Sequence, residues 1–176
     1  MVWLAGVASL LGVAFARYLR FARRLRLARP AAPEWRDEWR HLLDECSVRT
    51  GIPLLASREA GPALCRLPRG YRLVVPESLW AELAPSERLA ILRHELAHYQ
   101  RGDLWTTLLA RCLALVQWFN PLAWWAASRF EAQCEFICDQ ASTGEDPAAF
   151  AEILIRLGSG GHARVAVEQA VRSGSL

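Results

Sequence analysis

The segment ILRHELAHYQRGD, residues 91–103, constrains the fold more than any other stretch of this 176-residue chain. It holds two of the four histidines, His94 and His98, with Glu95 beside the first. Residues four apart on an α-helix point the same way, so both imidazoles can reach one metal ion. Glu95 lies about 100° round the helix from His94 and flanks the same cleft. A surface helix with two incidental histidines is the alternative, but the HExxH spacing favours a Zn²⁺ site.

The same helix carries a second pattern, which predicts packing. Pro85 suits its first position. Apolar side chains recur at helical spacing away from the histidines, at Leu89, Leu92, Leu96 and Tyr99. We therefore expect one face of this helix to serve the site and another face to pack into the protein core.

A catalytic zinc needs a third protein ligand, and the extended HExxHxxGxxH motif is absent from this chain. A later helical segment offers Glu131, Glu135 and Asp139 at intervals of four, which places them on one face. We assign the third ligand to Glu135 and expect Asp139 to accept a hydrogen bond from a ligand imidazole. Glu131 is expected to face solvent. Cys134 and Cys138 are alternative ligands, ranked below Glu135.

The N-terminal segment predicts a membrane anchor. Residues 2–16 are uncharged and apolar, and an arginine run, residues 17–29, follows at once. A signal peptide would carry its positive charge before the apolar stretch, so this order disfavours a signal peptide. A buried core helix is the alternative to the membrane anchor. By the positive-inside rule the arginines belong on the cytoplasmic side of the cell membrane. Because the rest of the chain has more acids than arginines, we predict contact with the lipid bilayer and no direct nucleic acid binding.

The middle of the chain predicts a small, mostly helical α+β domain. Residues 34–51 form an amphipathic helix with one apolar face, made by Trp35, Trp39, Leu42, Leu43 and Cys46. The short apolar segments IPLLAS, ALCRL and YRLVVP predict strands, and the last is expected to offer its edge to an extended substrate. Asn120 and Pro121 predict the start of a helix that reaches about Ser142.

Residues 104–119 are apolar except for Arg111, Gln117 and the threonines. The segment is shorter than the about 20 residues of a spanning helix, and Arg111 lies at its centre. Both features argue against a plain spanning helix. We place residues 104–125 close to the membrane or partly within it, with a buried core helix as the alternative. The five cysteines lack CxxC spacing, which indicates reduced thiols in a domain that faces the cytosol.

HELAHYQRGD, WFNPLAWW and EFICDQA, in this order, resemble membrane zinc metallopeptidases of the beta-lactam sensor-transducer (BlaR/MecR-like) family, a branch of the gluzincins. The resemblance covers roughly residues 28–157. It implies one catalytic Zn²⁺ on His94, His98 and Glu135, with Glu95 as general base. It also implies that Asp139 supports one of the zinc ligands from outside the coordination sphere. Such proteins usually carry more membrane helices and often an extracellular sensor domain. This chain begins at the helix just before the protease unit and stops soon after that unit, so ligand sensing is not carried over. The interpretations are a fragment, a split gene or a minimal form.

The resulting domain prediction has three parts. Residues 1–29 form the membrane anchor helix and basic juxtamembrane segment. Residues 30–157 form a small gluzincin-type zinc metallopeptidase domain with a short β-sheet and the HExxH helix, and its last amphipathic helix covers residues 144–157. Residues 158–176 form a flexible tail.

The predicted function is a membrane-bound zinc endopeptidase that hydrolyses protein or peptide substrates on the cytoplasmic side of the inner membrane. Its expected role is regulatory signalling in an antibiotic response, by cleavage of a cytosolic transcriptional repressor or of its own chain. A housekeeping metalloprotease for membrane-protein quality control is one alternative. A catalytically silent membrane signalling scaffold is another, which the intact Glu95 disfavours. Candidates for a second oxyanion contact are Tyr71, Arg129 and His162.

Overall fold

The computed structural model describes residues 1–25, 27–58, 62–68 and 70–142. Its helices are α1 (Val2–Leu25), α2 (Pro33–Glu45), α3 (Glu77–Glu82), α4 (Pro85–Arg101), α5 (Asp103–Val116) and α6 (Pro121–Ser142). Its strands are β1 (Arg29–Pro30), β2 (Leu54–Ser57), β3 (Ala63–Leu67) and β4 (Gly70–Pro76). The predicted class, mostly helical α+β with a short sheet, is confirmed. The helix predicted for residues 144–157 and the predicted tail lie outside the described residues.

The four strands form one sheet in the order β1-β2-β4-β3. β4 pairs parallel with β2 and antiparallel with β3. The prediction that the YRLVVP strand offers an edge is therefore wrong, because β4 has a neighbour on each side and β3 forms the edge. Its apolar run indicates burial on both faces, which is typical of an inner strand. β1, only two residues long, pairs with β2 and had no signal in the sequence.

Helix α2 covers one face of the sheet. Trp39 is buried, and its indole Nε1 donates a hydrogen bond of 2.7 Å to the carbonyl of Ile52. The helix ends at Glu45 and not at the predicted Gly51. Ser47 directly after the helix has φ +56°, and Cys46 is exposed and therefore lies outside the predicted apolar face.

Helix α4 lies in the same core. Leu92 and Leu96 are buried, and Leu89 and Tyr99 pack partly buried against them, as the apolar stripe predicts. Arg88 of this helix forms a two-pronged ion pair with Glu38 of α2, with Nη2–Oε1 at 2.6 Å and Nε–Oε2 at 2.9 Å. These hydrogen bonds raise the pKa of Arg88 and fix α4 against α2.

Helices α4, α5 and α6 form a packed group. Gly102 ends α4 with φ +71°, a left-handed conformation that favours glycine, and α5 begins at the next residue. Helix α5 ends at Val116, three residues before the predicted end. Asn120 Oδ1 then accepts the backbone N–H of Leu122 at 3.0 Å, which confirms the predicted N-terminal cap of α6. Helix α6 runs back along both α4 and α5.

Helix α1 is long and apolar enough to cross a membrane, and its most apolar stretch buries no residue inside the described structure. Its C-terminal end meets the sheet, where Leu25 packs with Cys65 of β3 and Val74 of β4. Its N-terminal end meets the end of α5, where Trp3 Nε1 donates a hydrogen bond of 2.9 Å to the carbonyl of Val116. The helix is thereby fixed to the domain at both ends.

Candidate metal centre

Two helices bring three polar side chains together at one point. His94 and His98, both on α4, place their Nε2 atoms 3.2 Å apart. Glu135 reaches across from α6, with Oε2 at 3.7 Å from His94 Nε2 and Oε1 at 3.7 Å from His98 Nε2. The structure therefore brings the three predicted ligands together, and their binding of zinc stays a prediction.

The donor set fits a tetrahedral metal ion. Ligand atoms about 2.0–2.1 Å from a tetrahedral zinc lie about 3.3 Å from one another. The three separations in this group are 3.2, 3.7 and 3.7 Å, so an ion can enter with small side-chain adjustments. His94 is buried, whereas 51% of the Glu135 side chain is exposed. The group is therefore buried at His94 and open to solvent on its carboxylate side.

Each histidine has a carboxylate at its second ring nitrogen. Asp139 Oδ1 of α6 lies 3.2 Å from His94 Nδ1, in the position that the sequence predicted. Asp103 Oδ2 lies 2.9 Å from His98 Nδ1. A carboxylate at Nδ1 favours the tautomer that carries a proton there, which leaves Nε2 free to bind a metal.

Asp103 is the residue of this group that the sequence analysis missed. It is buried, and its Oδ2 accepts hydrogen bonds of 3.3 Å from Arg101 Nε and from the Cys138 thiol. These donors offset the cost of burying a carboxylate. The sequence feature that could have indicated it is an acidic residue five positions after His98 that directly follows Gly102, the residue that ends the helix.

The alternative ligand Cys138 lies on the wrong side of the ring. Its Sγ is 3.3 Å from His98 Nδ1, whereas His94 and Glu135 face Nε2 of the same imidazole. Cys134 is buried and interacts with Arg101. All five cysteines fall within the described residues and are free.

Glu95 lies between α4 and the edge strand. Its Oε2 accepts the backbone N–H of Leu64 in β3 at 2.8 Å. The neighbouring thiol of Cys65 donates to the carbonyl of Arg72 at 3.3 Å. Burial raises the pKa of Cys65 to about 11, opposed by Arg72 and aided by the charge of Glu95. The thiol is therefore protonated at neutral pH.

Glu131 does not face solvent as predicted. It pairs with Arg111 of α5, whose Nε and Nη2 donate to its two carboxylate oxygens, the second at 2.7 Å. Only 26% of the Glu131 side chain is exposed. The prediction was wrong because the packing of α6 against α5, which sequence spacing does not reveal, places the two charges opposite each other.

The three candidates for an oxyanion contact gain no support. The hydroxyl of Tyr71 accepts a hydrogen bond of 3.0 Å from Trp105 Nε1. Arg129 is exposed on α6, and His162 lies outside the described residues. We assign the contact to none of them.

Comparison with known proteins decides the family. The family model described as BlaR1 peptidase M56 matches residues 1–167, almost the whole chain. The chain belongs to this family. The regulatory protein BlaR1 of Bacillus licheniformis is 30% identical over 69 residues, which are 39% of this chain and 11% of that protein. The predicted BlaR/MecR-like resemblance is confirmed.

Family membership supports a regulatory metallopeptidase in general terms. Together with α1, it indicates a membrane protein. The M56 peptidase family also gives a chemical context for the group of His94, His98 and Glu135, whose ligand atoms all lie within 4.8 Å of one another. The segment shared with the BlaR1 relative covers about a tenth of that protein, so its activity as a whole does not transfer directly.

Proposed function

We propose that this chain is a membrane-bound zinc endopeptidase that cleaves protein substrates on the cytoplasmic side of the membrane. The observation that carries the proposal is the convergence of His94, His98 and Glu135 within metal-binding distance of one another. His94, His98 and Glu135 would hold one Zn²⁺, and Asp139 would orient His94. Membership of the M56 peptidase family supports the same chemistry.

A bound Zn²⁺ would supply Lewis acidity, which lowers the pKa of a water molecule to about 7 and polarises a carbonyl. Glu95 takes a proton from the attacking water and passes it to the leaving amine. The hydrogen bond from Leu64 N–H to Glu95 Oε2 restricts the carboxylate to the side of α4 that faces β3. Asp103 orients the His98 imidazole by a hydrogen bond at Nδ1, and the Asp139 carboxylate lies at ion-pair distance, 3.2 Å, from Nδ1 of His94.

The substrate is proposed to bind as an extended chain along β3. This strand is the edge of the sheet next to Glu95, so its outward N–H and C=O groups, apart from the Leu64 N–H that Glu95 accepts, can pair with a peptide backbone. Strand pairing would lay the substrate backbone next to Glu95, which contacts β3 at Leu64. The role predicted for the YRLVVP strand passes to β3 because β4 is paired on both sides.

A regulatory role is preferred to housekeeping proteolysis. The relative from Bacillus licheniformis is described as a regulatory protein, which supports cleavage of a cytosolic repressor or of the chain itself. The arginine run that follows the apolar part of α1 supports a cytoplasmic position for the domain.

The test is a cleavage assay on purified full-length protein with zinc, using self-cleavage and an unfolded casein as readouts. Glu95→Gln should retain zinc and lose cleavage, because the amide cannot accept the proton. Glu82→Gln is the matched control, since it makes the same change at an exposed position on α3, and it should cleave like the parent. Full activity in Glu95→Gln would overturn the assignment of the base.

A further inference from the structure

The α5–α6 hairpin exposes an unusually apolar surface. Its outward side chains are large and apolar, with exposed fractions from 47% at Val116 to 70% at Leu122. They form a continuous series along α5, the turn and the start of α6: Trp105, Leu108, Leu109, Leu113, Val116, Phe119, Leu122 and Trp125. A surface of this kind in water marks contact with another apolar phase.

Contacts with α1 fix the direction of the hairpin. The end of α5 meets the start of α1 through the Trp3–Val116 hydrogen bond. Gly6 of α1 abuts the indole of Trp118, and a Cβ added at Gly6 would lie 2.6 Å from that ring. The start of α5 is instead fixed to the sheet by the hydrogen bond from Trp105 to Tyr71. Since the C-terminal end of α1 also meets the sheet, α1 and α5 run antiparallel.

The two helices cover similar depths. The 14 residues of α5 rise about 20 Å, and α1 rises about 21 Å between Trp3 and Arg17, at 1.5 Å per residue. We propose that the α5–α6 hairpin is inserted into the same bilayer as α1, with its turn level with Trp3 and its Asp103 end at the depth of Arg17. Because the hydrocarbon core is about 30 Å thick, the turn then passes the midplane. The proposal rests on the proposed membrane location of the chain.

The charges of the hairpin suit a lipid environment. Arg111 lies about 12 Å along α5 from Asp103 and is neutralised by the two-pronged pair with Glu131. Arg129 is exposed, and its long side chain can extend towards the headgroups. Within the turn, Asn120 Nδ2 donates to Gln117 Oε1 at 3.0 Å.

Tryptophans lie at both ends of the hairpin. Trp124 Nε1 donates to the carbonyl of Trp118 at 3.0 Å beside the turn, close to Trp3. At the other end, the guanidinium of Arg66 lies 4.8 Å from the centre of the Trp105 ring. Tryptophan collects at bilayer interfaces, which suits Trp105 at the Asp103 end of the hairpin, and the occupant that fits the apolar surface beyond it is lipid acyl chains.

Two native cysteines provide the test. Cys112 lies exposed on α5 within the apolar surface, and Cys46 lies exposed at the end of α2. Cys46→Ser and Cys112→Ser each leave one exposed thiol for a nitroxide label, with the same three buried thiols as background. The labelled full chains are placed in phosphatidylcholine/phosphatidylglycerol vesicles. Electron paramagnetic resonance then compares accessibility to oxygen, which enters lipid, with accessibility to a nickel chelate, which stays in water.

The label on Cys112 should show a several-fold higher ratio of oxygen to nickel accessibility than the label on Cys46. Equal nickel accessibility at both labels would overturn the proposal, because the hairpin would then lie in water. Low accessibility to both reagents at Cys112 would also overturn it, since protein would then cover the surface. Leu109→Cys, in a chain lacking both exposed thiols, repeats the measurement at a second site. The readout needs neither metal nor cleavage, so its failure is distinct from failure of the proposed enzyme.

Discussion

The two histidines of the HExxH motif each have a carboxylate near Nδ1, and the two carboxylates come from different elements. Asp139 comes from α6, and Asp103 comes from the first position of α5. An imidazole with a carboxylate at Nδ1 keeps its orientation and is a stronger base at Nε2. At the scale of single residues, the geometry of the centre therefore depends on side chains beyond the three proposed ligands.

Asp103→Asn should weaken zinc binding by about 10–100-fold, because the amide is a poorer acceptor for the Nδ1–H of His98. Asp103→Glu should recover part of the affinity. Cys138→Ala is the control, since it removes only a weak thiol donor from Asp103 and should change the affinity little. Competition with a chelating dye measures the affinity, and thermal unfolding shows that each variant is folded. A folded Asp103→Asn variant with parental affinity would contradict the role given to this carboxylate.

Sequence spacing could predict the side chains that share one helix, and it could not predict Asp103. The positions of His94 and His98 follow from helical geometry, and so does the common face of Glu135 and Asp139 on α6. The position of Asp103 depends on the backbone angle at Gly102, which no periodic pattern encodes. The partner of Glu131 was missed for a related reason, since it depends on how α5 and α6 pack.

Among the elements, the junction between α4 and α5 has the greatest effect on the site. Gly102 is the only residue between these helices, and its left-handed conformation turns the chain so that Asp103 comes back under His98. A Cβ at this position would meet nothing within 4 Å, so only the backbone conformation requires glycine.

Gly102→Ala should lower the free energy of unfolding by about 1–2 kcal/mol, the cost of a left-handed conformation for an L-residue. Gly102→Asn is the matched variant, and its loss should be smaller because asparagine tolerates this conformation. Chemical denaturation of the metal-free protein in detergent measures both. Equal losses of unfolding free energy for Gly102→Ala and Gly102→Asn would contradict the claim that the left-handed backbone conformation is the reason for glycine at this position.

The strands themselves were predictable, and their order was not. β2, β3 and β4 coincide with the three apolar segments because each segment is bounded by Gly or Pro. The order β1-β2-β4-β3 depends on pairing between distant segments, and β1 has only two residues to indicate it. The proposed substrate edge consequently moved from β4 to β3.

For the whole molecule, α1 is a structural part of the domain and more than a tether. Its end completes a small core with Cys65 and Val74, and its beginning supports the hairpin turn through Trp3 and Gly6. Helix α1 therefore supports both the sheet and the end of α5 opposite Asp103.

Gly6→Leu should destabilise the protein, because the new side chain must displace the Trp118 indole. Gly12→Leu is the matched control on the same helix, since a Cβ there meets nothing within 4 Å. We expect a lower melting temperature for Gly6→Leu and a parental one for Gly12→Leu, measured by circular dichroism in lipid vesicles. Similar melting temperatures for both variants would mean that α1 and the hairpin turn do not support each other.

Zinc content per chain, measured by plasma mass spectrometry after dialysis, tests the central claim most directly. We expect about one zinc in the parent and in Glu82→Gln, and a loss of most of it in Glu135→Gln, because a carboxylate ligand is removed. A Glu135→Gln protein that keeps the parental zinc content would contradict a metal centre built from His94, His98 and Glu135.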